Sequence, residues 1–234
     1  MKPKVIVLSG YGLNCEEETK LAFKISGGSA DIVHINDLIA GKYKLSDYQI
    51  MAIGGGFAYA DDTGAGNAYA NKMRNHLWKD IEKFVTSDKL VIGICNGFQI
   101  LCEIGLLPGV LTKNKSLSFI CDEVYLKVVN NQTPFTKLYK EGEIIKLPIA
   151  HGDGRYIPKD INNSQIVFQY CDKKGNITEE TNPNGSINNI AGIHASNILG
   201  MMPHPERFCE SILGSEDGKR LFESIIVNSP FITM

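Results

Sequence analysis

The stretch Lys89-Leu90-Val91-Ile92-Gly93-Ile94-Cys95-Asn96-Gly97-Phe98-Gln99-Ile100-Leu101 decides the fold. Residues 90–94 are an apolar run of strand length, and they lead through a cysteine into a second apolar segment with helical spacing. Gly93 and Gly97 stand two residues either side of Cys95 and remove Cβ atoms that would clash where strand and helix close together. A side chain at such an elbow is thrust out at the carboxyl edge of a sheet. The helix start that follows offers unpaired N–H groups and partial positive charge, which favour thiolate over thiol. Cys95 is therefore the candidate covalent nucleophile.

Working outward, the N-terminal half alternates strand-like and helix-like segments with the rhythm of a parallel α/β sheet. Strands are expected over residues 4–8, 32–35, 48–53 and 90–94. A helix is expected over 16–26, opened by an Asn14/Glu17 capping box and carrying Leu21, Ala22 and Ile25 inward before Gly27-Gly28 stop it. A longer helix is expected over about 67–85, with Met73, Leu77, Ile81 and Phe84 on one face. Beyond Pro108 the pattern changes to short alternating strands over 123–129, 144–148, 165–170 and 190–194, an antiparallel extension of the same sheet. Residues 197–201 return to the sheet, 203–207 form a loop and 218–227 a closing helix. The expected class is α/β, a central, mostly parallel sheet flanked by helices, in a single domain over 1–234.

The 234 residues are 43% hydrophobic, enough for a full core, and the net charge of -2 comes without a block of lysine or arginine. That excludes nucleic acid as an expected partner. No apolar run approaches the ~20 residues of a membrane span. Residues 1–8 are basic then apolar, but stop at Ser9-Gly10 and read as a first strand rather than a signal peptide. A cytoplasmic protein is expected. The six cysteines contain no Cys-x-x-Cys pair, so neither a zinc knuckle nor a disulfide scaffold is expected, and Cys102 reads as core.

A thiol nucleophile needs a base and a group that orients the base. Of the five histidines, His204 stands out in His204-Pro205-Glu206, because it follows an apolar segment and two prolines stiffen its loop. His194, at a strand end, is the rival; His34 and His76 read as structural or solvent-facing. An oxyanion formed by thiolate attack needs two N–H donors, one from Asn96 and one from a neighbouring loop, for which Gly54-Gly55-Gly56 is the candidate. Gly10-Tyr11-Gly12 lacks the third glycine of a dinucleotide fingerprint.

This set, Gly93-Ile94-Cys95-Asn96-Gly97 with an upstream Gly-Gly loop and a late His-Pro-Glu, resembles class I (triad) glutamine amidotransferases. Within that class it is most similar to the glutaminase subunits of phosphoribosylformylglycinamidine synthases of purine biosynthesis. The matching stretches are 55–57, 93–101, 105–109, 114–116, 148–156, 182–186 and 200–207. The resemblance implies a flavodoxin-like glutaminase fold with Cys95 as nucleophile, His204 as acid/base and Glu206 as its orienter. It implies that amides of Gly55, Gly56 and Asn96 hold the oxyanion. It also implies that Gln99 and the His151-Gly152 loop contact the α-amino and carboxylate ends of L-glutamine, a subunit contact being the other reading of His151. Ala58 and Ala60 replace the usual Ser and Gly of the family, and Asp153 its commoner Glu. Because the glutaminase elements use nearly the whole chain, the resemblance places ATP and Mg on a separate synthetase partner, with a small accessory subunit as a further partner, and no cofactor or metal in this chain. The acceptor implied is formylglycinamide ribonucleotide. A glutaminase serving another acceptor, a γ-glutamyl hydrolase and a catalytically silent α/β interaction module are the rival readings.

Overall fold

A computed structural model describes residues 2–62 and 64–230. Its elements in chain order are β1 (Lys4–Ser9), α1 (Glu16–Ile25), β2 (Ser29–His34), α2 (Ile35–Ile39), β3 (Ile50–Ile53), α3 (Asn67–Thr86), β4 (Leu90–Ile94), α4 (Asn96–Glu103), β5 (Val110–Thr112), β6 (Ile120–Val128), β7 (Ile144–His151), β8 (Arg155–Ile157), β9 (Ile166–Cys171), β10 (Ile190–Ala195), β11 (Ile198–Met201) and α5 (Lys219–Asn228). The large sheet has the order β2-β1-β3-β4-β11-β10-β9-β6-β7, and β5 pairs with β8 apart from it. The first five strands in that order run parallel and the last four extend the sheet antiparallel. The parallel strands are short apolar runs because helices cover both faces; every residue of β3 and β4 is buried.

Chain order reverses beside β1, which lies between β2 and β3. At such a switch point the loops leaving adjacent strands diverge and open a crevice at the carboxyl edge. The loops after β1, β3, β4 and β11 all leave at this edge. The antiparallel strands carry the far end of the sheet back towards it. Pairing of β10 with β9 shifts register on both sides of Gly192, and such irregularities increase local twist. The outcome is that β7, the outermost strand, returns to the middle of the edge: the Pro148 carbonyl accepts the His204 N–H at 2.8 Å.

Three local expectations fail. The capping box at α1 does not form: Cys15 takes the N-cap position with no side-chain cap, and Asn14 Oδ1 instead accepts from the Cys15 thiol at 3.4 Å. Leu21 is 47% exposed, and the inward face is carried by Thr19, Ala22 and Phe23, whose ring meets Phe222 of α5 edge-on at 4.9 Å. The helix is rotated from its expected orientation because the aromatic pair buries more apolar surface than Leu21 would. The second strand also begins at Ser29 and ends at His34, whose Nδ1 caps the short α2.

Candidate active site

Cys95 sits between β4 and α4 with φ 52° and ψ −107°, a conformation that an L-residue with a side chain adopts at a cost. The flanking glycines show why it is held there. A Cβ on Gly97 would collide with the Ile53 carbonyl of β3, and one on Gly93 would lie 2.5 Å from Leu101 Cδ1. The Cys95 N–H donates to the Met201 carbonyl at 2.8 Å, which ties the elbow to β11. The sulfur is buried, 3.7 Å from the Ala150 carbonyl at the end of β7.

His204 reaches the same place from the loop after β11, and its Nδ1 is 2.6 Å from Glu206 Oε1. Both side chains are buried, and His204 Nε2 has no protein partner. Burial opposes charge on the imidazole, but the Glu206 carboxylate, with Cys95 and Cys15 beside the ring, holds its pKa well above the ordinary value. The geometry thus brings together a thiol, a basic imidazole and an orienting carboxylate. His194 is not part of it. It lies on β10 paired with Leu199, with Nε2 3.0 Å from the Ser164 carbonyl. His76 is exposed on α3.

The Gly54-Gly55-Gly56 loop leaves β3 alongside. Gly55 passes so close to the histidine that a Cβ would lie 2.6 Å from His204 Cε1. Its carbonyl accepts from the N–H groups of Asn14 at 3.0 Å and Cys15 at 3.3 Å. In a planar trans peptide the N–H of Gly56 then points the opposite way, away from the start of α1. Gly56, at φ +149°, is hemmed in by the Gly12 carbonyl, so no side chain fits. The Asn96 N–H, in the first turn of α4, has no intrahelical partner.

Three of the remaining expected residues line a small pocket of about 60 Å³ that reaches Cys95: Gln99, His151 and Gly152. Gln99 is committed on both sides, with Oε1 accepting from Asn96 Nδ2 at 2.6 Å and Nε2 donating to the Asp153 carbonyl at 2.7 Å. Asn96 in turn accepts from the Ala58 N–H at 3.0 Å, so the two amides strap the loops after β3 and β7 to α4. Two roomier cavities, about 400 Å³ between α3 and the loop after α2 and about 480 Å³ beside β9, are lined by no cysteine.

Two participants escaped the sequence reading. Cys15 Sγ lies within 4.8 Å of a ring nitrogen of His204 and a carboxylate oxygen of Glu206, and Arg207 Nη2 donates to it at 3.3 Å. Its position on the loop after β1, next to the switch point, was the available signal. Asn114 is the other. Its Nδ2 donates to the Ser118 and His151 carbonyls at 2.9 and 2.8 Å, and its Oδ1 accepts from the Gly154 N–H at 2.9 Å while lying 3.1 Å from His151 Nδ1.

The CobB/CobQ-like glutamine amidotransferase domain model matches residues 2–224. Phosphoribosylformylglycinamidine synthase subunit PurQ of Pyrococcus furiosus is 49% identical over 225 residues, 95% of this chain and 97% of that protein. The subunit of the same name from Pyrococcus horikoshii is 48% identical with the same coverage. Among solved structures, a chain of PurLQS from Thermotoga maritima superposes with a TM-score of 0.84 at 40% identity, over 97% of this chain and 99% of that one.

Proposed function

Since this chain belongs to the CobB/CobQ-like glutamine amidotransferase family, we propose that it is the glutaminase subunit of a phosphoribosylformylglycinamidine synthase. It hydrolyses L-glutamine and passes ammonia to a synthetase subunit, which amidates formylglycinamide ribonucleotide with ATP and Mg bound on the synthetase side. The observation that carries this reading is the convergence of Cys95, His204 and Glu206 at the carboxyl edge of one sheet, beside a glycine loop and a helix start. The acceptor is the one named by the synthase to which the PurQ relatives belong.

The steps follow from the positions. The Cys95 thiolate adds to the carboxamide carbon, and the resulting oxyanion is met by the amides of Asn96 and of the Gly55-Gly56 loop. His204, protonated and held by Glu206, donates its proton to the departing nitrogen as the C–N bond breaks, leaving a glutamyl thioester and ammonia. Neutral His204 then takes a proton from water, which displaces the thiolate and releases glutamate.

Ammonia set free in bulk water at neutral pH is mostly ammonium and a poor nucleophile, so the synthetase subunit must cover the pocket. The rim suits such a lid: Phe57 and Phe119 stand 6.1 Å apart at the pocket mouth, 46% and 54% exposed, with Leu117 exposed on the loop before Phe119. The chain is a single domain acting in the cytoplasm, with a small accessory subunit as a further partner; among the described residues no helix is long and apolar enough to cross a membrane. The test is amidation reconstituted with the synthetase subunit, comparing glutamine with ammonium salts. The glutamine-driven reaction disappears in Cys95→Ala and the ammonium-driven one survives. Equal glutamine-driven rates in the two proteins would overturn the assignment.

A further inference from the structure

The charged side chains that line the pocket at Cys95 are both carboxylates. Asp61 and Asp153 stand in its wall, with the Ala150 carbonyl beside the sulfur, and no lysine or arginine lines it. Asp61 is carried by three consecutive residues with left-handed backbones, Tyr59, Ala60 and Asp61 at φ 55°, 55° and 56°. Burial, and the neighbouring charge of Asp153 second, push its carboxyl above the usual carboxylate range, and its side-chain partner is a neutral amide, Asn96 Nδ2 at 3.5 Å, rather than a cation.

His151 supplies an independent observation. It is 2% exposed and lines the same pocket. Asn114 is oriented by three backbone groups, so its Oδ1 is an acceptor and His151 Nδ1 must carry the proton. Burial, and His204 second, push the ring down to about 4, so it is neutral at physiological pH. A neutral ring with hydrogen on Nδ1 has a bare lone pair on Nε2, and that atom is buried without a partner. An unsatisfied acceptor beside two carboxylates is costly unless a donor arrives with the ligand.

Resting on the glutaminase reading above, we propose that Asp61 is a specificity-determining residue which, with Asp153 and His151 Nε2, receives the α-ammonium group of the substrate. The pocket then selects a free α-amino acid over a γ-amide whose α-nitrogen is acylated, because an amide nitrogen brings neither the charge nor the spare hydrogens.

The test is Asp61→Asn, assayed in complex with the synthetase subunit. KM for L-glutamine rises roughly ten- to hundredfold, as for a lost charged hydrogen bond, while kcat stays within about twofold. Alkylation of Cys95 by iodoacetamide, which has no ammonium group, proceeds in the isolated variant at the wild-type rate and reports an intact fold and thiol. Unchanged KM, or a KM change accompanied by an equal loss of alkylation rate, overturns the ammonium site and leaves the glutaminase reading standing. A wild-type complex that does not hydrolyse glutamine removes that reading and this site together.

Discussion

The two ends of helix α4 carry a cysteine each, and they differ in almost everything except burial. Cys95, at the amino end, is 5% exposed; Cys102, in the last turn, is 9% exposed. Cys95 has a strained backbone, a buried histidine beside it and the positive end of the helix dipole behind it. Cys102 has a helical backbone, its sulfur lies 3.9 Å from the Pro108 carbonyl, and burial pushes its thiol far up. Accessibility therefore does not separate the proposed nucleophile from a packing residue here. Backbone position and the charge of the neighbours do.

The most damaging way to break the contrast, short of removing the sulfur, is to take away the anion that holds His204 basic. Glu206→Gln keeps the shape but offers the ring no charge, and glutamine hydrolysis should fall on the order of 10³–10⁴-fold, read as kcat with the synthetase subunit present. A loss of less than tenfold would show that His204 does not depend on Glu206.

The contrast is sharpened by the second histidine near Cys95, which behaves oppositely to the first. His151 binds a proton at about 4 in the folded chain and at about 6.5 when unfolded. Between those values the unfolded chain holds more protons, so this residue makes stability fall as pH drops from 6.5 to 4, by about 3 kcal/mol in all, and has no such effect above pH 6.5. His204, raised instead, favours the folded state at low pH and loses that effect as pH rises through its folded value. Denaturant unfolding of His151→Gln should show a shallower acid-side decline than the wild type; parallel curves would contradict the neutral assignment.

The smallest effect belongs to the far end of the helix. Cys102→Ala removes a small buried group, costs about 1 kcal/mol of stability and leaves glutamine hydrolysis at the wild-type rate. A large activity loss without unfolding would give Cys102 a role that its surroundings do not suggest.

Legibility from sequence follows the same physics. β4 runs over the expected residues, and α3 and α5 fall within a residue of theirs, because buried parallel strands are continuous apolar runs and long helices show a clear period. The elbow at Cys95 and the loop carrying His204 were legible because a strand–Gly–helix turn and a proline-stiffened loop have local signatures. Cys15 was not, since its approach to a histidine 189 residues later depends on the switch point rather than on any neighbour in sequence. The return of β7 to the site was also hidden, because accumulated twist across antiparallel strands has no local signature. Asp61 stood next to two noted departures from the family pattern, yet its place in the pocket rests on a run of left-handed residues that alanine and tyrosine do not announce.

The central claim is that Cys95 carries the acyl group, and it can be tested by acid-quenching the complex during turnover of isotopically labelled glutamine and mapping the label by mass spectrometry. The account predicts one glutamyl adduct, on the peptide containing Cys95, absent from Cys95→Ala. Label on the peptide containing Cys15 or Cys102, or an unlabelled protein that still turns over glutamine, would contradict it.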